Sequence, residues 1–377
     1  MSVLRPLVRN NKRPTFFSAY ARAANRYGFT TSEFAPFKKH ENVVNGVSPL
    51  QSRVLAEYIV PVKIGTPGIT LNLDFDTGSS DLWVWSSQLT GVSKTGHNIY
   101  DPAQSKTAQA QRGSTWSISY GDGSSASGTV YLDTVTIGGV AIPGQAVELA
   151  QKLSRQFAQG EGSDGLLGLA WPAINTVSPR PVKTPVENMI EQGLVAQPLF
   201  TVKLERGNGE DGNAGFYSFG EIEEGVTSSP IVYTDVDSSQ GFWTVPSASV
   251  VINGKTVERA GNTAILDTGT TLALVDDSTV SAIYAAIPGA KFDQNEGGWM
   301  YPASAAVPEL QIAIGDIMYT LNKADFPFGE AEEGMLFGGV QSRGSLDFDI
   351  LGDIFLKSVY VVFNQGNSTV GLAQRDD

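Results

Sequence analysis

Asp-Thr-Gly occurs twice in this chain, and each copy sits inside an apolar run. The first reads Leu73-Asp74-Phe75-Asp76-Thr77-Gly78-Ser79-Ser80; the second reads Ala264-Ile265-Leu266-Asp267-Thr268-Gly269-Thr270-Thr271. A carboxylate among apolar side chains is costly to bury unless it is paired or shares a proton. Two of them, each on a tight loop of small residues, point to one site assembled from two halves. Carboxylates held roughly 3 Å apart cannot both ionise, so one keeps its proton over a wide acidic range. Such a pair supplies a general base and a general acid in one place.

The repeat extends beyond these loops. Asp164-Gly165-Leu166-Leu167-Gly168-Leu169 follows the first copy, and Asp349-Ile350-Leu351-Gly352-Asp353 follows the second at a similar distance. An apolar-apolar-Gly step alone is a strand with close backbone approach. In register with the Asp loops, it reads as the strand crossing behind each of them. Two matched motif pairs imply two homologous β lobes related by a pseudo-two-fold. With 41 Gly and 19 Pro against 17% charged residues, the chain suits many short strands and tight turns, not a helical bundle. Ile59–Gly65 and Leu71–Phe75 read as strands around a Thr-Pro-Gly turn. Short helices are expected at Pro185–Gln192 and Ser278–Ala286, and Phe16–Tyr27 is helix-prone.

Other chemistries are poorly served. The chain has no cysteine, which removes disulfides, thiol catalysis and zinc-thiolate sites. Its two histidines, His40 and His97, lie in no recognisable motif, and neither His-Glu-x-x-His nor Gly-x-Ser-x-Gly is present. Asp74-x-Asp76-x-Gly78 resembles the start of a calcium loop, but Ser79 stands at its required Gly and Trp85 at its final Glu. No metal or cofactor is called for. No apolar run approaches the roughly 20 residues of a membrane span. The first six residues lack the apolar stretch of a signal peptide.

Charge is unevenly spread. Residues 1–53 carry nine Lys and Arg (among them Arg26, Lys38 and Lys39) against Glu33 and Glu41, whereas the rest of the chain is strongly acidic. A basic arm commonly binds nucleic acid. Here the nearest opposite charge is the chain's own body, so an intramolecular partner is favoured and no nucleic-acid module is recognised.

Residues 55–374 closely resemble the pepsin-like aspartic endopeptidases, and most closely the fungal secreted group of the penicillopepsin, aspergillopepsin and endothiapepsin type. The resemblance rests on Asp76-Thr77-Gly78-Ser79-Ser80-Asp81-Leu82-Trp83-Val84, Ser119-Tyr120-Gly121-Asp122-Gly123-Ser124, the second Asp-Thr-Gly run and Ile350-Leu351-Gly352-Asp353. It implies a mainly β, bilobal fold with a cleft between the lobes. The lobes would be 53–235 and 236–377, within a peptidase domain of about 58–374. Asp76 and Asp267 would be the catalytic pair, activating one water without a covalent intermediate. Gly78 and Gly269 would let the backbone approach them, Thr77 and Thr268 would bond across the junction, and Ser79 and Thr270 would bind the outer oxygens. A catalytically silent relative would lose an Asp or a neighbouring Gly, and both motifs are intact.

The same resemblance makes Tyr120-Gly121-Asp122 part of a mobile flap over the cleft; by itself Asp-Gly signals only a hairpin turn. Trp83 is either a partner for Tyr120 or plain core. Phe157 and Leu166 are expected beside the scissile bond, favouring bulky apolar residues, with ordinary core as the alternative. Asp122 could extend acceptance to Lys. The resemblance also implies an acid protease made as a zymogen, with residues 1–52 as an inhibitory prosegment. Ala23-Ala24-Asn25-Arg26-Tyr27-Gly28 resembles the end of fungal prosegments, and Arg26, Lys38 or Lys39 could reach the aspartates. A monomer inhibited by pepstatin-like compounds and secreted, or alternatively vacuolar, completes the expectation.

Overall fold

The computed structural model describes residues 3–6, 8–9, 16–27, 58–119, 124–159, 163–206, 215–294, 297–331 and 334–377. The strands expected at the start of the body occur as Tyr58–Gly65 and Gly68–Asp76, paired antiparallel with Ile59 opposite Asp74. In the second of these, Leu71, Leu73 and Phe75 are buried in the core. The alternation of a strand therefore places Asn72, Asp74 and Asp76 on its other face. Sequence pattern alone thus brings the first Asp of the motif to the side where a site can form.

Both halves then build the same support. Gly165–Gly168 runs parallel to Gly68–Asp76, with Asp76 opposite Gly168, and antiparallel to Leu82–Val84. Asp349–Leu351 runs parallel to Thr263–Leu266 and antiparallel to Ala273–Val275. The Gly at the end of each apolar pair is sterically required. A Cβ on Gly168 would lie 2.5 Å from the Ser79 carbonyl oxygen, and one on Gly352 would collide with the Thr270 and Leu272 carbonyls.

The first support belongs to an eight-stranded sheet and the second to a five-stranded sheet. A six-stranded sheet draws on both halves and crosses the boundary expected near residue 235. It runs Val3–Pro6, Gly215–Phe219, Leu199–Leu204, Val359–Asn364, Thr369–Gln374 and Val232–Asp235. The arm residues Val3–Pro6 form one edge of it, paired with Gly215–Phe219.

The two expected short helices span Pro185–Glu191 and Asp277–Ala285. Thr184 and Glu187 form a reciprocal capping box at the first, and Asp276 accepts from the Thr279 amide at the second. The arm contributes a third helix, Phe16–Arg26. Its Phe16, Ala19, Tyr20 and Ala23 recur at helical spacing and are buried together. Phe16 stacks on Phe337 at 4.2 Å between ring centres, and the Tyr20 hydroxyl donates to the Ser342 carbonyl at 2.7 Å. The arm helix is thereby fixed to the second half, and its last turn ends at Arg26.

Candidate active site

Asp76 ends its strand and Asp267 follows the strand Thr263–Leu266; both side chains are 0% exposed. Their immediate surroundings mirror each other. The Gly78 amide donates to Asp76 Oδ1 and the Gly269 amide to Asp267 Oδ1, each at 2.9 Å. Ser79 Oγ donates to Asp76 Oδ2, and Thr270 Oγ1 to Asp267 Oδ2. A Cβ built on Gly78 would lie 2.5 Å from Asp267 Oδ1, and one on Gly269 would strike Asp76 Oδ1. Each glycine thus faces the carboxylate of the other half.

Four hydrogen bonds fasten the loops to one another. The Thr77 amide donates to Thr268 Oγ1 at 3.1 Å, and the Thr268 amide to Thr77 Oγ1 at 2.9 Å. The same hydroxyls donate onward, Thr77 to the Leu266 carbonyl and Thr268 to the Phe75 carbonyl, both at 2.8 Å. All of these groups are buried, so each bond also prevents an unsatisfied polar group.

Of the three cations that sequence left open, Arg26 is the one placed at the pair; Lys38 and Lys39 lie outside the described residues. Arg26 Nη2 contacts Asp76 Oδ2, and Nη1 lies 3.5 Å from Asp267 Oδ2. The Tyr27 hydroxyl adds a 2.7 Å hydrogen bond to Asp267 Oδ2, with its ring against Phe242 and Phe348. This tyrosine was not singled out as a partner, although it stands beside Arg26 in the quoted motif.

Burial raises the Asp76 carboxyl to about 6; Arg26 opposes that rise and the neighbouring Asp267 adds to it. Burial also disfavours charge on Asp267, but Arg26, Thr270, Tyr27 and the Gly269 amide outweigh it and hold the carboxyl below its usual range. The two carboxyls are therefore unequal, Asp76 shifted up and Asp267 down.

Beside the carboxylates lies a cavity lined by Trp83, Phe157, Leu166, Asp74 and Ser124, with Arg26, Gly269 and Thr270 closing the side toward the pair. Trp83 is buried, meets Phe157 edge-on at 5.0 Å and stacks against Trp116 at 6.1 Å. It is both core and cavity wall. Asp74 and Ser124 were not anticipated in the lining, although the strand alternation already puts Asp74 on the Asp76 face. The strands Gln109–Ser119 and Ser125–Ile137 pair as far as Ser119 opposite Ser125. Tyr120, Gly121 and Asp122 lie outside the described residues. Among those residues there is no cluster of three or more metal-ligating side chains, and no helix long and apolar enough to cross a membrane.

Comparison with known proteins agrees with this geometry. The family model described as eukaryotic aspartyl protease matches residues 57–375. The chain is 46% identical over 318 residues to aspergillopepsin-1 of Aspergillus pseudoglaucus, covering 84% of this chain and 78% of that relative. It is 43% identical over 363 residues to penicillopepsin-1 of Penicillium rubens, covering 94% and 86% of the two chains. Among solved structures, the aspartic proteinase from Irpex lacteus superposes with a TM-score of 0.71 at 27% identity, covering 85% of this chain and 95% of that one.

Proposed function

The chain belongs to the eukaryotic aspartyl protease family and is an aspartic endopeptidase acting on polypeptides, and from that premise we propose that Asp76 and Asp267 perform the hydrolysis as a pair. The observation that carries this reading is the mirrored set of bonds from Gly78, Ser79, Gly269 and Thr270 to the two carboxylates. The ionised member takes a proton from a water held between them as its oxygen attacks the scissile carbonyl carbon. The protonated member gives its hydrogen to the carbonyl oxygen, where negative charge develops. As the diol collapses and its C–N bond breaks, the carboxyl that took the water's proton gives it to the leaving amine nitrogen, and a diol hydroxyl returns its proton to the other carboxylate.

Trp83, Phe157 and Leu166 beside the pair favour bulky apolar side chains next to the scissile bond. In this reading Tyr120, Gly121 and Asp122 form the flap over the bound peptide. Residues 1–52 are the inhibitory prosegment of a zymogen, and Arg26 with Tyr27 occupies the place of the substrate at the carboxylates. Arg26 lowers the titration of both carboxyls, so without it they would protonate at higher pH. Its hold is accordingly strongest above the Asp76 value of about 6 and weakens as pH falls through it. Activation is therefore acid-triggered. The enzyme works as a secreted monomer and binds pepstatin-like inhibitors.

The test is hydrolysis of unfolded casein by the full chain between about pH 2 and pH 7, with and without a statine-type inhibitor. Asp76→Asn and Asp267→Asn should each lower activity more than about a hundredfold, or about 2.7 kcal/mol, while the fold persists. Retention of more activity than that by either variant removes its aspartate from the reaction.

A further inference from the structure

Asp164 stands immediately before the strand Gly165–Gly168 and is 3% exposed. Its Oδ2 accepts from the Asn72 amide and from Asn98 Nδ2, both at 2.9 Å. Its Oδ1 accepts from the Asn98 amide at 3.0 Å and lies 3.4 Å from His97 Nδ1. The His97 ring rests flat on Trp85, with 3.7 Å between ring centres and 10° between planes. The Trp85 amide in turn donates to the Asp164 carbonyl at 2.8 Å. One buried carboxylate thus ties together the loop carrying His97 and Asn98, the strand Gly68–Asp76 and the strand Gly165–Gly168. Those two strands frame the reacting side. Asn72 shares a strand face with Asp76, and Gly165 and Leu166 line the cavity beside Trp83 and Phe157.

We propose that His97 is a positioning residue for the peptidase: stacked on Trp85 with its Nδ1 3.4 Å from Asp164 Oδ1, it holds Asp164 in place and through it the Asp76 strand and the Leu166 wall of the cavity. The inference rests on the reading of Asp76 and Asp267 as the reacting pair. A carboxylate can accept from four donors, whereas its protonated form carries a hydrogen on one oxygen and must release a partner. An enzyme working in acid is exposed to that loss. Burial disfavours charge on Asp164, but His97, the Asn72 amide and both Asn98 donors outweigh it, and the carboxyl sits below its usual range. Other charged groups nearby do not compete. Lys94, on the same loop, turns its Nζ to the Ser87 carbonyl at 2.8 Å. Asp101 accepts from Ser87 Oγ, and Asp74 lies on the cavity side of its strand. Trp85 is uncharged and holds the ring face-on.

The experiment measures kcat and KM on one peptide with bulky apolar residues at the scissile bond, from about pH 2 to pH 6. The full chain, converted in acid, is compared with His97→Gln and His97→Arg. The glutamine variant should lose roughly tenfold in kcat/KM near pH 3 and stay within about twofold near pH 5.5, because Asp164 then loses one of the groups that hold its carboxyl low. Its acid limb should move up by about one pH unit. The arginine variant keeps a planar cation stacked on Trp85 at every pH, so it should restore the parental acid limb. A loss in the glutamine variant by the same factor at all pH values overturns the proposal, because a purely structural role would act that way. Failure of arginine to restore the limb overturns it as well. If the glutamine variant does not fold, the arginine variant alone decides between the two outcomes. An inactive parent chain would instead count against the reading of the aspartate pair.

Discussion

Behind the Asp76 loop the buried carboxylate of Asp164 meets amides and one histidine. At the start of the matching strand behind the Asp267 loop stands Asp349, which meets two guanidinium groups. Arg259 Nη1 contacts Asp349 Oδ2, Arg343 Nη1 lies 2.7 Å from Oδ1, and Asn262 Nδ2 donates to Oδ2 at 3.0 Å. Arg259 also reaches the helix cap Asp276 at 3.3 Å and the Ser247 carbonyl at 3.0 Å. The first half also buries two carboxyls beside each other. Glu148 and Asp81 are hydrogen-bonded to each other, Asn175 Nδ2 donates to Glu148 at 3.0 Å, and Thr176 Oγ1 donates to Asp81 at 2.6 Å. Burial raises both carboxyls, and Asp81 raises Glu148 further.

The same strand arrangement is thus stabilised in two ways. At Asp349 the second half answers buried negative charge with arginines, whose charge is permanent, although burial still raises that carboxyl and raises Asp353 as well. At Glu148 and Asp81 the first half relies on carboxyl protons that burial holds in place. Glu148 and Asp81 hold their protons more tightly folded than unfolded. Their contribution is therefore complete below their free values of about 4 and is lost as pH rises through the raised ones.

The largest expected effect comes from removing the permanent charge in the second half. Arg259→Met leaves Asp349 and Asp276 short of a buried partner and should cost about 3–5 kcal/mol, read from urea midpoints near pH 5. A loss below about 1 kcal/mol would mean that Arg343 and Asn262 suffice, and that the halves differ less than their contacts suggest. A smaller effect of opposite sign is expected in the first half. Glu148→Gln has no proton to lose, so its stability should fall less between about pH 5 and pH 8, with a gain over the parent of about 1–3 kcal/mol at the upper end. Parallel curves would place the pH sensitivity elsewhere. The smallest effect concerns the arm, where Arg26 contacts Asp76 most closely and Tyr27 reaches only Asp267. Tyr27→Phe removes one hydrogen bond to a charged group, about 1–2 kcal/mol. Self-conversion should then begin at a pH higher by several tenths of a unit, followed by gel electrophoresis, and an unchanged onset would assign the whole clamp to Arg26.

Much of the support and the candidate pair was legible in sequence because its causes are local. Each Asp lies between apolar residues on a strand of period two, and each partner strand carries its Gly where a Cβ cannot fit. What was not legible depends on chain path. Nothing in composition places Arg26 at the pair; its position follows from the helix Phe16–Arg26 docking its Phe16 face on Phe337. Asp81 and Glu148 meet only because Leu82–Val84 lies beside Val140–Leu153. His97 carries no motif, and its importance comes from Asp164, which sequence offered only as the first residue of an apolar step.

The reciprocal threonine bonds also bear on how the protein reaches its final state. Thr77 and Thr268 are 191 residues apart in the chain. Contacts of such separation close slowly, because loop entropy is lost before they contribute. During synthesis the first loop emerges and waits with its threonine hydroxyl and amide unmatched until the second half arrives. Neither loop can set its carboxylate in final geometry alone, so catalytic competence should appear as one of the last events of refolding, after most strand signal has returned. The recovery of peptidase activity would then serve as a clock for the joining of the halves.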